Sequence, residues 1–251
     1  MLTNVKARND IDDDGDGDKI VASVHRALSI LDAFLEGPPT LSLADLALRT
    51  GLYKSTIARL VLTMEQDGYM VRSADGGFHI GSKPLRLANL FQNAVQPEYL
   101  VLPVLKELVD KTRESASFMI RQGQFRITLY RVDSPQTIRD HGAPGDIVPL
   151  GKGATSKVFD SFTTEATASV KGPRKIVHTT TGANTPGMTG VAAPVFGAGS
   201  RQDCVGVIVL TGPEHRLMGG NIKRAEKCVM YSARTLTERL GGDVSIFDKA
   251  T

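Results

Sequence analysis

The sequence lacks the features that place a protein in a membrane or in an oxidising compartment. Its two cysteines, Cys204 and Cys228, belong to no paired motif, which is typical of free thiols in a reducing cytoplasm. It contains no run of about 18 apolar residues, so we expect no membrane span. Its N-terminal segment has no apolar stretch of the kind found in secretory signals. We therefore expect a soluble, cytoplasmic protein with no membrane partner.

Motifs of catalysis and of metal binding are also lacking. The run "GKGATSK" looks like a phosphate loop, but Gly153 follows Gly151-Lys152 where that loop requires Ser or Thr. There is no G-x-S-x-G or H-E-x-x-H segment, and the five histidines show no partner spacing. No Cys or His pair has the spacing of metal ligands. We expect no catalytic residues, no metal and no cofactor.

The net charge of +3 is small and unevenly spread. Residues 1–18 contain six aspartates and are predicted to form a disordered acidic tail. The tail is similar to a calcium loop, but the twelfth position counted from Asp10 or Asp12 is Val21 or Ser23, which offers no carboxylate. Because the chain has no strong basic excess, any binding to nucleic acid depends on where its charges lie.

From residue 19 the pattern predicts three helices followed by a hairpin. "SVHRALSILDAFLEG" predicts the first helix and "LSLADLALRTG" the second, with Ser42 as N-cap, Asp45 three residues later and Gly51 as the left-handed end. "GLYKSTIARLVLTMEQDGYM" predicts the third helix, and "YMVRSADGGFHI" predicts two strands around Gly76-Gly77. The predicted apolar face of the first helix comprises Val24, Ala27, Leu28, Leu31, Phe34 and Leu35.

The third helix has two chemically different sides. One is apolar, with Ile57, Leu60, Val61 and Met64, and the other carries Lys54, Ser55, Ala58 and Arg59. Two helices, a glycine turn, a helix and a hairpin follow one another as in a winged helix-turn-helix. Such a helix enters the major groove, where Arg bonds guanine and a methyl contacts thymine, while residues at the helix start lie near phosphates. Alternatively, the polar side is a solvated face and the winged helix serves protein contacts.

The remaining segments predict a linker helix and a second domain. "GSKPLRLANLFQNAV" predicts a helix that is apolar over a broad arc and either dimerises or packs on its own domain. After it we expect a long helix, two strands around Gly123, a glycine-rich loop leading into a helix, two further strands and a last helix. The predicted parts are an acidic tail (1–18), a winged helix-turn-helix DNA-binding domain (19–81), a linker helix (82–96) and an effector-binding domain (97–247).

Together these segments resemble the IclR-type transcriptional regulators. The resemblance covers about residues 20–245 and is carried by "VHRALSILDAF", "LSLADLALRTGLYKSTIARLVLTMEQDGYM", "FHIG", "PLGKGATSKV", "GVAAPVF" and "VGVIVLTGPEHRL". It implies an α+β protein in which an N-terminal winged helix-turn-helix is joined by a linker helix to a GAF-like α/β effector domain. It further implies a repressor or activator of a catabolic or transport operon, without a catalytic cofactor. Such a regulator binds double-stranded operator DNA as a dimer or tetramer and responds to a small organic acid or aromatic effector.

The resemblance also assigns functional residues. It implies DNA contacts from Lys54, Ser55, Thr56 and Arg59, and we expect Ser42, Tyr53 and Arg72 to contact DNA as well. It implies effector contacts from Gly153, Ala154, Thr155 and Thr211.

The chain departs from the family pattern at several of these places. Tyr53 stands where Ser is usual, Gly151 where His is usual, and Val209 where a polar residue is usual. Gly182-Ala183 lacks the usual acid, and the segment after Phe162 is shorter than usual. A site with fewer polar groups should prefer a more apolar, aromatic acid. The alternative hypothesis is an enzyme or scaffold that uses the winged helix for protein contacts and the C-terminal domain for oligomerisation.

Overall fold

The computed structural model describes residues 21–95, 97–162, 175–198 and 204–248, which fall into two compact units, Met1–Leu90 and Phe91–Thr251. The predicted acidic tail lies outside the described residues. The helices are α1 Ala22–Asp32, α2 Leu43–Thr50, α3 Lys54–Gln66, α4 Lys83–Val95, α5 Glu98–Thr112, α6 Ala154–Ser161, α7 Gly219–Arg239 and α8 Ser245–Asp248. The strands are β1 Met70–Arg72, β2 Phe78–Ile80, β3 Ser115–Gln122, β4 Phe125–Val132, β5 Ile147–Pro149, β6 His178–Thr181, β7 Met188–Phe196 and β8 Cys204–Pro213.

Local signals at both ends of α2 set the turn that leads into α3. The Ser42 hydroxyl oxygen accepts the Asp45 N–H at 3.2 Å, and Asp45 Oδ2 accepts the Ser42 N–H at 2.9 Å, which completes a capping box. Gly51 ends the helix in the left-handed region, with φ of +71°, and donates its N–H to the Ala47 carbonyl at 3.0 Å. Both the predicted cap and the predicted turn are confirmed.

The N-terminal unit closes around one small core. The hairpin pairs β1 with β2 from Met70↔Ile80 to Arg72↔Phe78, and Leu41 forms an isolated bridge to Phe78. The hairpin is therefore tied to the segment just before α2 as well as to α3. The buried core comprises Ile30, Leu41, Leu46, Ile57, Val61, Met64, Met70 and Phe78.

The predicted apolar face of α1 is right for Ala27, Leu31 and Phe34, which pack against the core, and wrong for the other three residues, among which Leu35 is 81% exposed. Ile30 is the buried residue of this helix, whereas Val24 and Leu28 are 55% and 53% exposed. Because α1 carries apolar residues on more than one side, its pattern fits two orientations and tertiary contacts decide between them. One such contact is Arg49, whose Nη1 donates to the carbonyls of Ala33, at 2.7 Å, and Glu36 at the end of α1.

The C-terminal unit is built on a six-stranded sheet in the order β5-β4-β3-β8-β7-β6, with every neighbouring pair antiparallel. Helices α5 and α7 pack on each other and on its central strands. The predicted strands β3, β4, β7 and β8 are present, but the edge strands β5 and β6 were not predicted. Within the described residues, no helix is long and apolar enough to cross a membrane. The α+β class is confirmed.

A buried ion pair joins the end of α5 to the segment after β8. Glu114 is 3% exposed and receives two hydrogen bonds from Arg216, Nε to Oε1 at 2.6 Å and Nη2 to Oε2 at 2.7 Å. Arg216 Nη2 also donates to the Ile138 carbonyl at 2.8 Å, so one guanidinium connects three separate segments. This two-point geometry is the strongest that Arg and a carboxylate form.

Arg216→Met should lower the free energy of unfolding by about 3 kcal/mol, because it leaves the Glu114 carboxylate buried without its partner. The double variant Glu114→Gln with Arg216→Met should recover most of this loss, since it removes both charges. Urea denaturation of the three proteins measures the effect. A loss below about 1 kcal/mol for the single variant would contradict the assigned burial.

Candidate functional site

Helix α3 divides into a buried and an exposed side, as its sequence predicts. Ile57 and Val61 are fully buried and Met64 nearly so, on the side that contacts α1, α2 and β1. The residues that form the opposite side are exposed and comprise Lys54, Ser55, Ala58 and Arg59. Thr56 lies between the two sides and is half-buried. Two cations, a hydroxyl and a methyl group are therefore presented together on one turn and a half of helix.

The start of α3 has no side-chain cap. Tyr53 occupies the N-cap position with extended backbone angles (φ −65°, ψ 140°), and its side chain, 84% exposed, makes no capping hydrogen bond. Its carbonyl accepts the N–H groups of Thr56 and Ile57 at 2.9 and 3.0 Å. The helix dipole at this end favours a negative group. Tyr53 and Lys54 thus lie where a phosphate would be stabilised.

The two other predicted DNA contacts, Ser42 and Arg72, are engaged within their own unit. The Ser42 hydroxyl donates to Asp45 Oδ2 at 2.7 Å. The Arg72 guanidinium lies over the Phe78 ring, 4.7 Å from its centroid, and its Nε is 3.4 Å from Glu65 Oε1. The structure thus assigns each of them a structural role, and their contact with DNA stays a prediction.

The sheet of the C-terminal unit has two different faces, which β6 shows directly. Thr179 donates its hydroxyl to Glu226 of α7 at 2.7 Å. The next residue, Thr180, accepts the N–H of Ala154 at the start of α6 at 3.0 Å. Because successive residues of a strand point to opposite faces, α7 and α6 cover opposite faces of the sheet. We call the face beneath α6 the polar face.

Strand pairing shows which side chains belong to the polar face. The row through Thr180 continues across Gly190 and Thr211 to Ser115, and the next row contains His178, Ala192, Val209 and Ser117. The opposite face carries Ala116, Phe118, Ile208, Leu210, Val191, Ala193 and Val195. One face is thus an apolar core beneath α5 and α7, while the other buries hydroxyl groups.

The four predicted effector residues all lie by this polar face. Gly153, Ala154 and Thr155 are buried at the start of α6, and Thr211 is half-buried on β8. The Ala154 N–H is not available to a ligand, since it donates to Thr180. A Cβ on residue 153 would meet only the amide end of the exposed Asn184 side chain, which can move aside, so this contact does not by itself require glycine.

Sequence analysis missed several polar groups of this face. Ser117 and Thr128 are buried on β3 and β4, and Thr155 donates its hydroxyl to the Met119 sulfur at 3.9 Å. Burial, with a smaller contribution from Lys175, lowers the pKa of His178. The alternation of polar and apolar residues along β3 and β4 was the available signal, but it does not reveal that a helix covers the polar side.

The described residues offer neither a metal site nor a reactive thiol at Cys204. No group of three or more His, Cys, Asp or Glu residues lies together in the part of the chain that the structure describes. Cys204 and Cys228 are free, and burial raises the pKa of the Cys204 thiol to about 12. A thiol with this pKa stays protonated near neutral pH and is a poor nucleophile.

Part of the N-terminal unit is similar to a known family of DNA-binding domains. Residues 23–74 match the IclR helix-turn-helix domain. The Bacillus subtilis HTH-type transcriptional regulator KipR is 29% identical over 140 residues, which span 56% of this chain and 56% of KipR. The chain therefore spans little more than half the length of the curated relatives that it matches.

Solved structures extend the likeness to the fold of nearly the whole chain. The Thermotoga maritima IclR has a TM-score of 0.72 at 17% identity, covering 87% of this chain and 98% of that one. An IclR homolog from Microbacterium hydrocarbonoxydans, complexed with 4-hydroxybenzoate, has a TM-score of 0.70 at 15% identity, covering 87% and 99%. The predicted resemblance is confirmed.

Tyr53→Ser should stabilise the protein by roughly 0.5–1 kcal/mol, because a serine hydroxyl at the N-cap accepts an N–H of the first turn of α3. The change removes only an exposed side chain without a capping bond. Tyr53→Ala is the matched control and should not stabilise. Chemical denaturation measures the free energy of unfolding of each variant. Equal values for the Ser and Ala variants would show that the start of α3 needs no cap.

Proposed function

We propose that the chain, whose residues 23–74 match the IclR helix-turn-helix domain, is an IclR-type transcriptional regulator that binds double-stranded operator DNA. The observation that carries the proposal is α3, whose apolar side is buried while Lys54, Ser55, Ala58 and Arg59 face outward. The proposed parts are the acidic tail 1–18, the DNA-binding domain 19–81, the linker helix 82–96 and the effector domain 97–247. We place this activity in the cytoplasm, on a catabolic or transport operon, as repression or activation.

The exposed side of α3 has the chemistry of a major-groove reader. Arg59 takes no part in the ion pairs found among the described residues, so its guanidinium is available to guanine O6 and N7. Ala58 offers a methyl group to thymine, and Lys54 and Tyr53 lie at the helix start where a phosphate is favoured. Ser55 and Thr56 add hydroxyl groups in the same first turn.

A second copy of the chain is the proposed partner of α4. Four apolar residues of this helix are exposed, namely Leu85, Leu87, Leu90 and Phe91. Exposed apolar side chains on one helix favour an interface over a solvated linker. Two copies would place two winged helices on half-sites about one helical turn of DNA apart, which raises specificity through symmetry.

The effector is proposed to bind on the polar face beneath α6, next to Gly153, Ala154, Thr155 and Thr211. Buried hydroxyl groups there bond polar parts of a ligand, and Val209 and Ala192 supply apolar surface. A related fold holds 4-hydroxybenzoate. A small organic acid with an apolar or aromatic body therefore fits this face better than a small, fully polar one.

A gel shift with the DNA upstream of the chain's own gene tests the proposed function. The regulator should retard this fragment at nanomolar concentration and leave an unrelated fragment of equal length unbound. Equal retardation of both fragments, or none, would favour the alternative in which the winged helix serves protein contacts.

Arg59→Ala should reduce the preference for operator over random DNA by a factor of about 5–150, since a bidentate base contact is worth roughly 1–3 kcal/mol. Arg239→Ala removes the same charge from an exposed site at the end of α7 and should leave the preference unchanged. Fluorescence anisotropy with both DNAs measures the ratio. An unchanged ratio for a folded Arg59→Ala variant would show that Arg59 is only solvated.

The protein should be at least a dimer at micromolar concentration by light scattering, and Leu90→Glu should shift it toward the monomer. The reason is that a carboxylate in an apolar interface loses its solvation. Leu48→Glu is the matched control, since Leu48 is exposed on α2. A wild-type monomer that still binds operator DNA tightly would contradict the proposed dimer.

A further inference from the structure

The polar face holds a buried cation that sequence analysis did not single out, Arg126 on β4. It pairs with Arg121 of β3 and with Val148 of β5. Two residues along β4, Thr128 pairs with Met119, whose sulfur accepts the Thr155 hydroxyl. Residues two apart on a strand share a face, so Arg126 lies on the polar face together with Thr128.

Arg126 has no counter-ion among the described residues. It is 7% exposed, and its Nη1 is the one buried side-chain nitrogen or oxygen without a hydrogen-bond partner in the described part of the chain. Among the described residues, the Arg131 and Arg216 side chains, which are 5% and 24% exposed, both bond carboxylates, Arg131 that of Asp140 and Arg216 that of Glu114. A guanidinium keeps its proton, so its burial leaves an uncompensated charge. Burial accordingly lowers the pKa of Arg126.

A second cation beside Arg126 repels it, which raises the free-energy cost of leaving Arg126 without an anion. Arg121 is its direct cross-strand neighbour, is exposed, and donates its Nε to the Gly123 carbonyl at 2.9 Å. Like charges directly opposite each other on two strands destabilise the pair. An anion bound at Arg126 would offset both the lost solvation and this repulsion.

We propose that Arg126 is the charge partner of the effector and binds its carboxylate on the polar face. The inference rests on the proposed function, to which it adds the residue that recognises the acid. A planar guanidinium matches a carboxylate with two parallel hydrogen bonds. The buried hydroxyl groups of Thr128 and Thr155 bond the remaining lone pairs, and the apolar Val209 lies on the same face. A monocarboxylate with an apolar body is the ligand class.

Isothermal titration calorimetry of the full chain with benzoate and with its neutral isostere benzamide tests the proposal. The wild type should bind benzoate and not benzamide. Arg126→Met should weaken benzoate binding about tenfold or more, because it removes a charge-assisted pair of hydrogen bonds. Arg239→Met removes the same charge from an exposed position at the end of α7, and should change the dissociation constant by less than about threefold.

Thermal unfolding without ligand shows whether Arg126→Met weakens binding by removing the carboxylate contact or by destabilising the fold. Arg126→Met should melt at the same or a higher temperature than the wild type, because an unpaired buried charge is gone. A clearly lower melting temperature would overturn the inference. So would benzoate binding that Arg126→Met leaves unchanged, equal binding of benzamide, tighter binding of inorganic phosphate, or a wild type that binds none of these probes. DNA binding in the gel shift depends on none of them, so failure of this inference and failure of the proposed function are distinguishable.

Discussion

The burial of Ile57 and Val61 is the constraint on which the function of the N-terminal unit depends. When one side of a helix is buried in a core, the opposite side must face solvent, because the two sides lie half a turn apart around the helix axis. The core that receives them is small, and it draws residues from α1, α2 and both strands of the hairpin. The orientation of the exposed side is therefore only as rigid as this core. The capping box at Ser42 and the left-handed Gly51 fix the path of the chain into it.

The same separation of sides recurs in the C-terminal unit, now with the period of a strand. Alternate residues of β3, β7 and β8 form the apolar core beneath α5 and α7. The residues between them form the polar face, which α6 covers. Burying hydroxyl groups costs free energy unless they are bonded. Ser115 accepts the N–H of Ser134 and Thr180 accepts that of Ala154, so these hydroxyl groups are satisfied within the chain, whereas Arg126 Nη1 has no partner among the described residues.

Local chemistry explains which parts of this structure the sequence predicts. Ser42, Asp45 and Gly51 act on their near neighbours, so their pattern identified α2 and the turn before any contact was known. In α1 the pattern predicted only part of the buried side, because the burial of Ile30 and the exposure of Leu28 depend on packing from other helices. Strands β5 and β6 were missed because each has only three or four residues and shows no apolar alternation.

The residues of the candidate sites also differ in whether a local sequence pattern indicates them. Lys54 and Arg59 could be proposed from the sequence because the glycine turn precedes them, and their contact with DNA stays a prediction. Arg126 in "FRITLYRV", by contrast, has the pattern of an exposed strand residue. Its burial depends on the pairing of β4 with β3 and with β5, of which β5 lies about 20 residues further along the chain. No local pattern contains that information. Thr180 was missed for the same reason, since its role depends on the distant start of α6.

Dimethyl sulfate footprinting tests most directly whether α3 enters the major groove of operator DNA. This reagent methylates guanine N7 in the major groove and adenine N3 in the minor groove. Protein bound to its operator should protect guanine N7 in two half-sites about one helical turn apart, while adenine N3 between them stays reactive. Protection of adenine N3 with fully reactive guanine N7 would contradict the assignment of α3 as the reading helix.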